Sequence, residues 1–389
     1  MSGQDLRRTA AAGLLLVAMS GGGAQAQKPG GVLRVYHRDS PASMSIHEEG
    51  TNSVAIPMMA VFNNLVLYDQ HKAQTSLDTI VPDLAENWSW NEEGTRLTFK
   101  LREGVKWHDG KPFTSVDVKC TWDLLTGRGA ERLRLNPRKS WWNNVAEIVA
   151  DGPAQATLVL KRPQPAILAL LASGYTPIYP CHIPPRDMRQ HPIGTGPFKF
   201  VEFEPNETIK LVRNPGYWEP GRPYLDAIEY TIIPNRSTAI LAFIAGKFDL
   251  TFPYEVTVPL LKDVRTQAPQ AVCELVSTNA STNLLVNREA PPFDSPDLRR
   301  ALALALDRKS FIDILAEGQG DIGGAMLPPP TGVWGMPTDF LATVPGYSPD
   351  VAKNRAAARE IMAKLGYGPD KRLTIKVAAR NIPPIATRQ

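Results

Sequence analysis

From Trp88 to Leu101 the chain reads as two strands folded back on each other. Trp88-Ser89-Trp90 and Arg96-Leu97-Thr98-Phe99-Lys100-Leu101 alternate apolar with polar side chains, and Asn91-Glu92-Glu93-Gly94 supplies the turn between them. A hairpin commits the chain to antiparallel sheet. Proline, 35 of 389 residues, is well above the usual ~5%; it adds loops and argues against a helical bundle. Hydrophobic residues at 43% and charged residues at 21% leave ample material for a buried core. At roughly 150 residues per domain the length is that of two or three domains. The expected class is a loop-rich mixed α/β protein.

The first 26 residues read as an export signal. Arg7-Arg8 precede an apolar run from Ala10 to Met19, then Ser20-Gly21-Gly22-Gly23 and Ala24-Gln25-Ala26, which predicts cleavage after Ala26. The apolar run is half of the ~20 residues needed to span a bilayer. Thr9-Ala10 after the paired arginines lack the twin-arginine flanks, so the general secretory route is expected. No cysteine follows the cleavage site to carry a lipid, and the mature protein is expected to be soluble in the periplasm.

Further along, Gly30–Tyr36 reads as a strand, followed by a polar stretch from Asp39 to Asn52 and a helix from Ile56 to Leu67. Ser115–Leu125 is a helix capped by Thr114 or Ser115, Ala156–Leu160 a strand, and Pro165–Leu171 a short buried helix. Pro82 to about Pro185 thus reads as a self-contained α+β unit. Phe198–Phe203, Thr208–Arg213 and Ile228–Ile233 are successive strands, followed by a helix from Ser237 to Ala245 that Gly246 ends. Leu284–Asn287 closes that sheet region. Ser295 caps a helix from Pro296 to Leu306, whose Leu298, Ala301, Leu302, Ala305 and Leu306 share a face. A helix from Ala352 to Leu365, ended by Gly366, and a core-type strand from Arg372 to Val377 finish the reading. A strand that opens a new α/β unit needs neighbours, so the sequence is expected to be a piece of a longer chain.

Several functions are excluded or disfavoured by what the chain lacks. Net charge is only +4, and the run from Arg128 to Lys139 is interrupted by Glu131, leucines and Pro137, so it reads as a solvated segment and nucleic-acid binding is not expected. Gly194-Thr195-Gly196 is followed by Pro197 and a strand, where a dinucleotide fingerprint needs a third glycine and a helix. There is no G-x-S-x-G elbow and no H-E-x-x-H helix. Six histidines are scattered, and no cofactor or resident metal is expected. Cys120, Cys181 and Cys273 match no metal spacing; an oxidising compartment permits one disulfide, but buried unpaired thiols are the expected state.

Four ordered blocks then carry a resemblance. Ala85-Glu86-Asn87-Trp88 through Leu97-Thr98-Phe99-Lys100-Leu101-Arg102-Glu103-Gly104-Val105-Lys106-Trp107-His108-Asp109-Gly110-Lys111-Pro112-Phe113-Thr114 is the first. Gly194-Thr195-Gly196-Pro197-Phe198, Arg213-Asn214-Pro215-Gly216-Tyr217-Trp218, and Asp297-Leu298-Arg299-Arg300-Ala301-Leu302 with Ala305-Leu306-Asp307-Arg308 follow in order. Over residues 30–377 the chain resembles the family 5 extracellular solute-binding proteins of peptide and nickel ABC importers. The resemblance implies a two-lobed periplasmic binding-protein fold (cluster C type) with an extra α+β domain inserted in lobe one. Mapped here, lobe one comprises 27–80 and 190–285, the inserted domain 81–189, and an incomplete lobe two 286–389. Family members continue for well over a hundred further residues. The implied function is an exported receptor, a monomer that captures an oligopeptide or similar solute and delivers it to a membrane permease without chemistry. Nickel chelates, opines and haem are the alternative ligands for the same fold.

The candidate ligand contacts divide by origin. His47, Glu48 and Glu49, with Ser45 and Asn52 beside them, lie in the loop after the first strand, where an α/β lobe presents its ligand-binding end. A solvated loop, a contact to a cationic group and metal ligation all remain open for this cluster. Glu48 and Glu49 are also the local carboxylate pair that a rival reading, a periplasmic hydrolase, would need. Asn52 and Ser53, just beyond the cluster, either cap the following helix or face the cleft; Ser45 and Tyr36 are weaker candidates. The resemblance places Thr195, Thr251 and Tyr254 along the cleft and Asn283 beside the crossover into lobe two. Trp334, after Pro328-Pro329-Pro330, either stacks on the ligand or packs. The tryptophans of the first block read as structural, and His108 as part of a turn.

Overall fold

The computed structural model describes residues 28–72, 75–275, 281–325 and 335–378; the expected signal segment 1–26 and Trp334 lie outside them. In chain order the first elements are β1 (Val32–His37), α1 (Asn52–Met58), β2 (Val66–Tyr68), β3 (Ile80–Pro82), β4 (Ala85–Trp90) and β5 (Arg96–Leu101). Then come α2 (Ser115–Thr126), β6 (Val145–Ala150), β7 (Gln155–Leu160), α3 (Ile167–Leu171), β8 (Phe198–Glu204), β9 (Thr208–Arg213) and β10 (Ala227–Ile232). The helices α4 (Arg236–Ile244), α5 (Val258–Gln267), α6 (Pro296–Ala305), α7 (Arg308–Ala316), α8 (Thr338–Thr343) and α9 (Val351–Lys364) follow.

Strand pairing separates two sheets that interleave in sequence. β1 lies parallel to β10 in a mixed sheet of order β1-β10-β9-β8, with Val35 opposite Tyr230. The intervening residues build an antiparallel sheet of order β4-β5-β7-β6, while β2 pairs with β3. The hairpin forms as the alternation demands: Trp88 faces Phe99, Trp90 faces Leu97, and Gly94 turns at φ +63°. α2 begins at its Thr114 cap, whose N–H donates to Asp117 Oδ2 at 2.9 Å, and stops at left-handed Gly127.

Each sheet buries its own core. Leu97, Phe99, Leu101, Trp107, Trp122, Trp142 and Leu158 centre one, which also takes Leu65, Val66 and Ile80 from before residue 81. Val35, Met44, Ile46, Val54, Phe62, Ile209, Leu211 and Tyr230 form the second, joined by Leu124 and Tyr179. On the other face of β1, Tyr36 meets Ala239, Ile240, Phe252 and Val264 beneath α4 and α5. A small fourth core joins Ala301 and Leu304 of α6 to Ala358 of α9. No helix among the described residues is long and apolar enough to cross a membrane.

Three expectations are corrected. The helix expected over Ile56–Leu67 runs instead over Asn52–Met58. Beyond it the chain turns to give Val61 O to Gly196 N–H at 2.9 Å and Ala60 O to Phe198 N–H at 3.0 Å, bonds a continuing helix would have claimed. Leu284–Asn287 and Arg372–Val377 carry strand patterns but form no ladder among the described residues. Finally, Cys120 and Cys181 are bonded to each other: packing of α2 brings their Cα atoms to 5.5 Å, a distance a disulfide spans. Cys273 is the free thiol. Caps read from sequence are found at Ser295, whose Oγ accepts from Leu298 N–H, and at Gly246 and Gly366, both with positive φ.

Candidate functional site

The carboxyl end of β1 is flanked on both sides. Ile233 N–H, at the end of β10, donates to His37 O, and Leu250 bridges Val35 in parallel. The chain beyond each of these points therefore opens on one crevice, the position where open α/β sheets receive ligands. Residues 38–53, Arg236 and 251–255 arrive there from the strand ends, and Arg138 and Tyr175 arrive from the neighbouring unit.

The sequence-chosen loop forms the foundation of this crevice more than its surface. Glu48 is fully buried, and its carboxylate accepts from Arg189 Nε and Nη2 and from Arg134 N–H. Burial pushes its pKa up, but those bonds outweigh burial and hold it below the ordinary value. His47 Nε2–H donates to Pro177 O at 2.9 Å, its Nδ1 has no partner, and burial beside Arg138 pushes it down to about 3. Ser45 Oγ shares a 3.3 Å hydrogen bond with Tyr179 Oη. Glu49 accepts from Ser43 Oγ and lies 3.8 Å from Arg134 Nη2. Tyr36 is wholly buried, and Ser53 donates to Asp39 Oδ1.

Other candidates reach the crevice or stand apart from it. Asn52 Oδ1 accepts from Tyr175 Oη at 2.6 Å, at the base of the crevice. Tyr254 is 54% exposed and holds φ +67°, and Thr251 is half-buried beside it. Thr195 is buried elsewhere, donating to Asn63 Oδ1 at 3.0 Å. Asn283 is exposed and bonds Ser281 in its own loop. The glycines that flank Thr195, Gly194 and Gly196, are needed for a close approach of two backbones: a Cβ at Gly194 would lie 1.9 Å from Val61 O. His108 seals that approach, accepting from Gly194 N–H through Nδ1 and donating from Nε2 to Gly196 O.

Several residues that sequence reasoning did not single out complete the crevice. Arg138 lies inside the segment read as solvated, yet it is buried; it donates to Glu49 O and Ile46 O and lies 4.7 Å over the Tyr175 ring. Arg236 Nε donates to Glu255 Oε2 at 3.1 Å. Arg38 stacks on Phe252 at 5.4 Å, and its guanidinium lies 3.8 Å from Glu255 and 3.9 Å from Asp39. Arg38 had one visible signal, its place as the first residue beyond β1. The others are brought in from as far as residue 255, with no local pattern to mark them. Among the described residues, no group of three or more His, Cys, Asp or Glu gathers at metal-binding distance.

Residues 79–387 match the family described as bacterial extracellular solute-binding proteins, family 5 Middle. The glutathione-binding protein GsiB of Escherichia coli is 28% identical over 295 residues, 73% of this chain and 52% of that protein. A probable di/tripeptide-binding protein of Pseudomonas aeruginosa is 27% identical over 343 residues, 80% of this chain and 60% of its own. The chain thus spans about half the length of the curated relatives it matches. Among solved structures, the periplasmic binding protein DppA of Helicobacter pylori, in complex with the peptide STSA, matches with a TM-score of 0.69 at 24% identity. That match covers 88% of this chain and 67% of the other. The oligopeptide-binding protein AppA of Bacillus subtilis, in complex with a nonapeptide, gives 0.68 at 24% identity over 87% and 65%. These likenesses identify the fold as that of two-lobed periplasmic binding proteins, and the family match settles membership: the chain belongs to the bacterial extracellular solute-binding proteins of family 5.

Proposed function

We propose that this protein is the solute-binding receptor of an ABC importer, exported by cleavage after Ala26, that captures an oligopeptide or similar solute for uptake. The family match carries the reading, and the crevice beyond β1 supports it. It offers aromatic surface at Tyr175 and Tyr254 and polar groups at Asn52 and Thr251, the mixture that a peptide backbone and its side chains require. Residues 27–80 with 190–285 act as lobe one, 81–189 as the inserted domain and 286–389 as the start of lobe two. The pairing of β1 with β10 around a separate sheet supports that division. No chemistry is performed on the solute. Glu48, bound by Arg189 and Arg134, is not placed as a free acid–base group, which weighs against a hydrolase. The receptor acts as a monomer with a membrane permease as its partner.

Thermal melts of the mature protein against di- and tripeptides, glutathione, nickel chelates, opines and haem test the reading. A binder raises the melting temperature in proportion to RT ln(1 + [L]/Kd). A shift with peptides alone supports peptide capture; a shift with a chelate or opine reassigns the ligand. A complete protein unmoved by every compound, or one that consumes a peptide, overturns the receptor.

A further inference from the structure

We infer that Arg38 is the residue that receives an anionic group of the solute, so that the receptor selects carboxylate-bearing ligands through lobe one. The inference rests on the receptor reading and names its substrate class. Its basis is a hydrogen-bond mismatch in the crevice. Arg38 and Arg236 both approach the carboxylate of Glu255, Arg38 also lies beside Asp39, and Arg138 lies over the Tyr175 ring.

Both carboxylates are already engaged. Glu255 is buried and accepts from Arg236. Asp39 accepts from Ser53 Oγ, and its 3.9 Å approach to Arg38 Nε is an ion-pair distance and not a hydrogen bond. His37, which also faces Asp39, is kept neutral by burial that pushes its pKa down. Arg138 donates from Nη1 and Nη2 to the backbone carbonyls of Glu49 and Ile46.

Arg38 alone of the three makes no hydrogen bond among the described residues, and its Nε is buried without a partner. Its side chain is only 18% exposed, and it rests against the ring of Phe252. A guanidinium presents five donors in a planar fork, and withdrawing it from water without partners is unfavourable. A ligand carboxylate would take those donors in a bidentate pair. The group remains reachable, because Arg38 follows β1 directly and opens on the crevice that exposed Tyr254 borders. Tyr175, under Arg138 and bonded to Asn52 at the end of the loop that Arg38 begins, feels the charges of both Arg138 and Arg38.

Binding of matched pairs tests this: tri-alanine against tri-alanine amide, and glutarate against glutaramide, each titrated into wild type, Arg38→Gln and Arg38→Lys. Wild type should prefer the acid of at least one pair by about ten- to a hundredfold, the worth of hydrogen bonds to a charged group. Arg38→Gln should abolish that preference and Arg38→Lys should keep part of it. The ligand-free Arg38→Gln protein should melt close to wild type, since Arg38 has no hydrogen bond to lose and Glu255 keeps its bond from Arg236; a structural arginine would show a loss. Equal binding of acid and neutral partner, or a preference that survives Arg38→Gln, overturns the inference while leaving the receptor standing. Failure of every acid and every amide to bind overturns both.

Discussion

Arg189 grips Glu48 with two hydrogen bonds, Nε to Oε2 at 2.6 Å and Nη2 to Oε1 at 2.8 Å, and Arg134 N–H adds a third donor to the same carboxylate. The pair ties the loop after β1 to the segment that leads into the Gly194–Gly196 approach. It anchors one wall of the crevice from beneath, and it explains why a conspicuous acidic cluster in the sequence presents so little free carboxylate.

Breaking that pair should loosen the loop. Arg189→Ala leaves a buried carboxylate without its partner, a change that costs about 3–5 kcal/mol; the partial exposure of Arg189 puts the expected loss near the lower end. Because Glu48 is held below its ordinary value, its contribution is present above about pH 4.5 and lost as the pH falls through the lowered folded value. Urea unfolding of wild type and Arg189→Ala at pH 7 and pH 3 measures both effects, and equal stabilities at pH 7 would rule the anchor out.

Acid should also unfold the protein through its buried histidines. Burial pushes His108 down to about 4 and His47 to about 3, while the unfolded chain takes up its protons near 6.5. Both depressed bases withdraw stability as the pH drops from about 6.5 toward those values. For His108 the loss is about 3 kcal/mol by pH 4. His108→Gln should flatten the pH dependence of the urea midpoint between 6.5 and 4, and an unchanged slope would show that His108 is not the titrating group.

Gly194→Ala should be among the most damaging single-methyl changes in the chain. The new Cβ meets the Val61 carbonyl oxygen at 1.9 Å, and the obstacle is backbone, which cannot rotate away. A loss of about 3 kcal/mol or more is expected. A melting temperature within 2–3 °C of wild type would mean the two segments can separate without penalty.

Reducing the Cys120–Cys181 bridge opens a loop of 61 residues. In the chain-entropy account such a loop is worth about 4 kcal/mol. Chemical denaturation with and without dithiothreitol should show that difference, and Cys120→Ser should reproduce it without reductant. The free Cys273 predicts one titratable thiol per oxidised chain; three would contradict the bridge.

What the sequence determined by itself is local. Alternation from Trp88 to Leu101 and the glycine between its halves gave a hairpin that the structure contains, because side chains two apart must share a sheet face. Thr114, Ser295, Gly246 and Gly366 mark helix ends because capping and left-handed turns are decided within a few residues. The four ordered blocks pointed to the family, and through it to the fold. Tertiary structure decided the rest. Whether Cys120 meets Cys181, and whether Glu48 is free or held, depends on residues 61 and 141 positions away. Arg138 looks solvated in its own segment and is buried only because Tyr175 and the loop at 46–49 close over it. Leu284–Asn287 and Arg372–Val377 have the alternation of strands but no partner among the described residues, since a ladder needs hydrogen-bonding groups that another segment must bring. Arg38 stood in plain sight after β1, but the mismatch that singles it out exists only once Arg236 is folded in against Glu255 and Ser53 against Asp39.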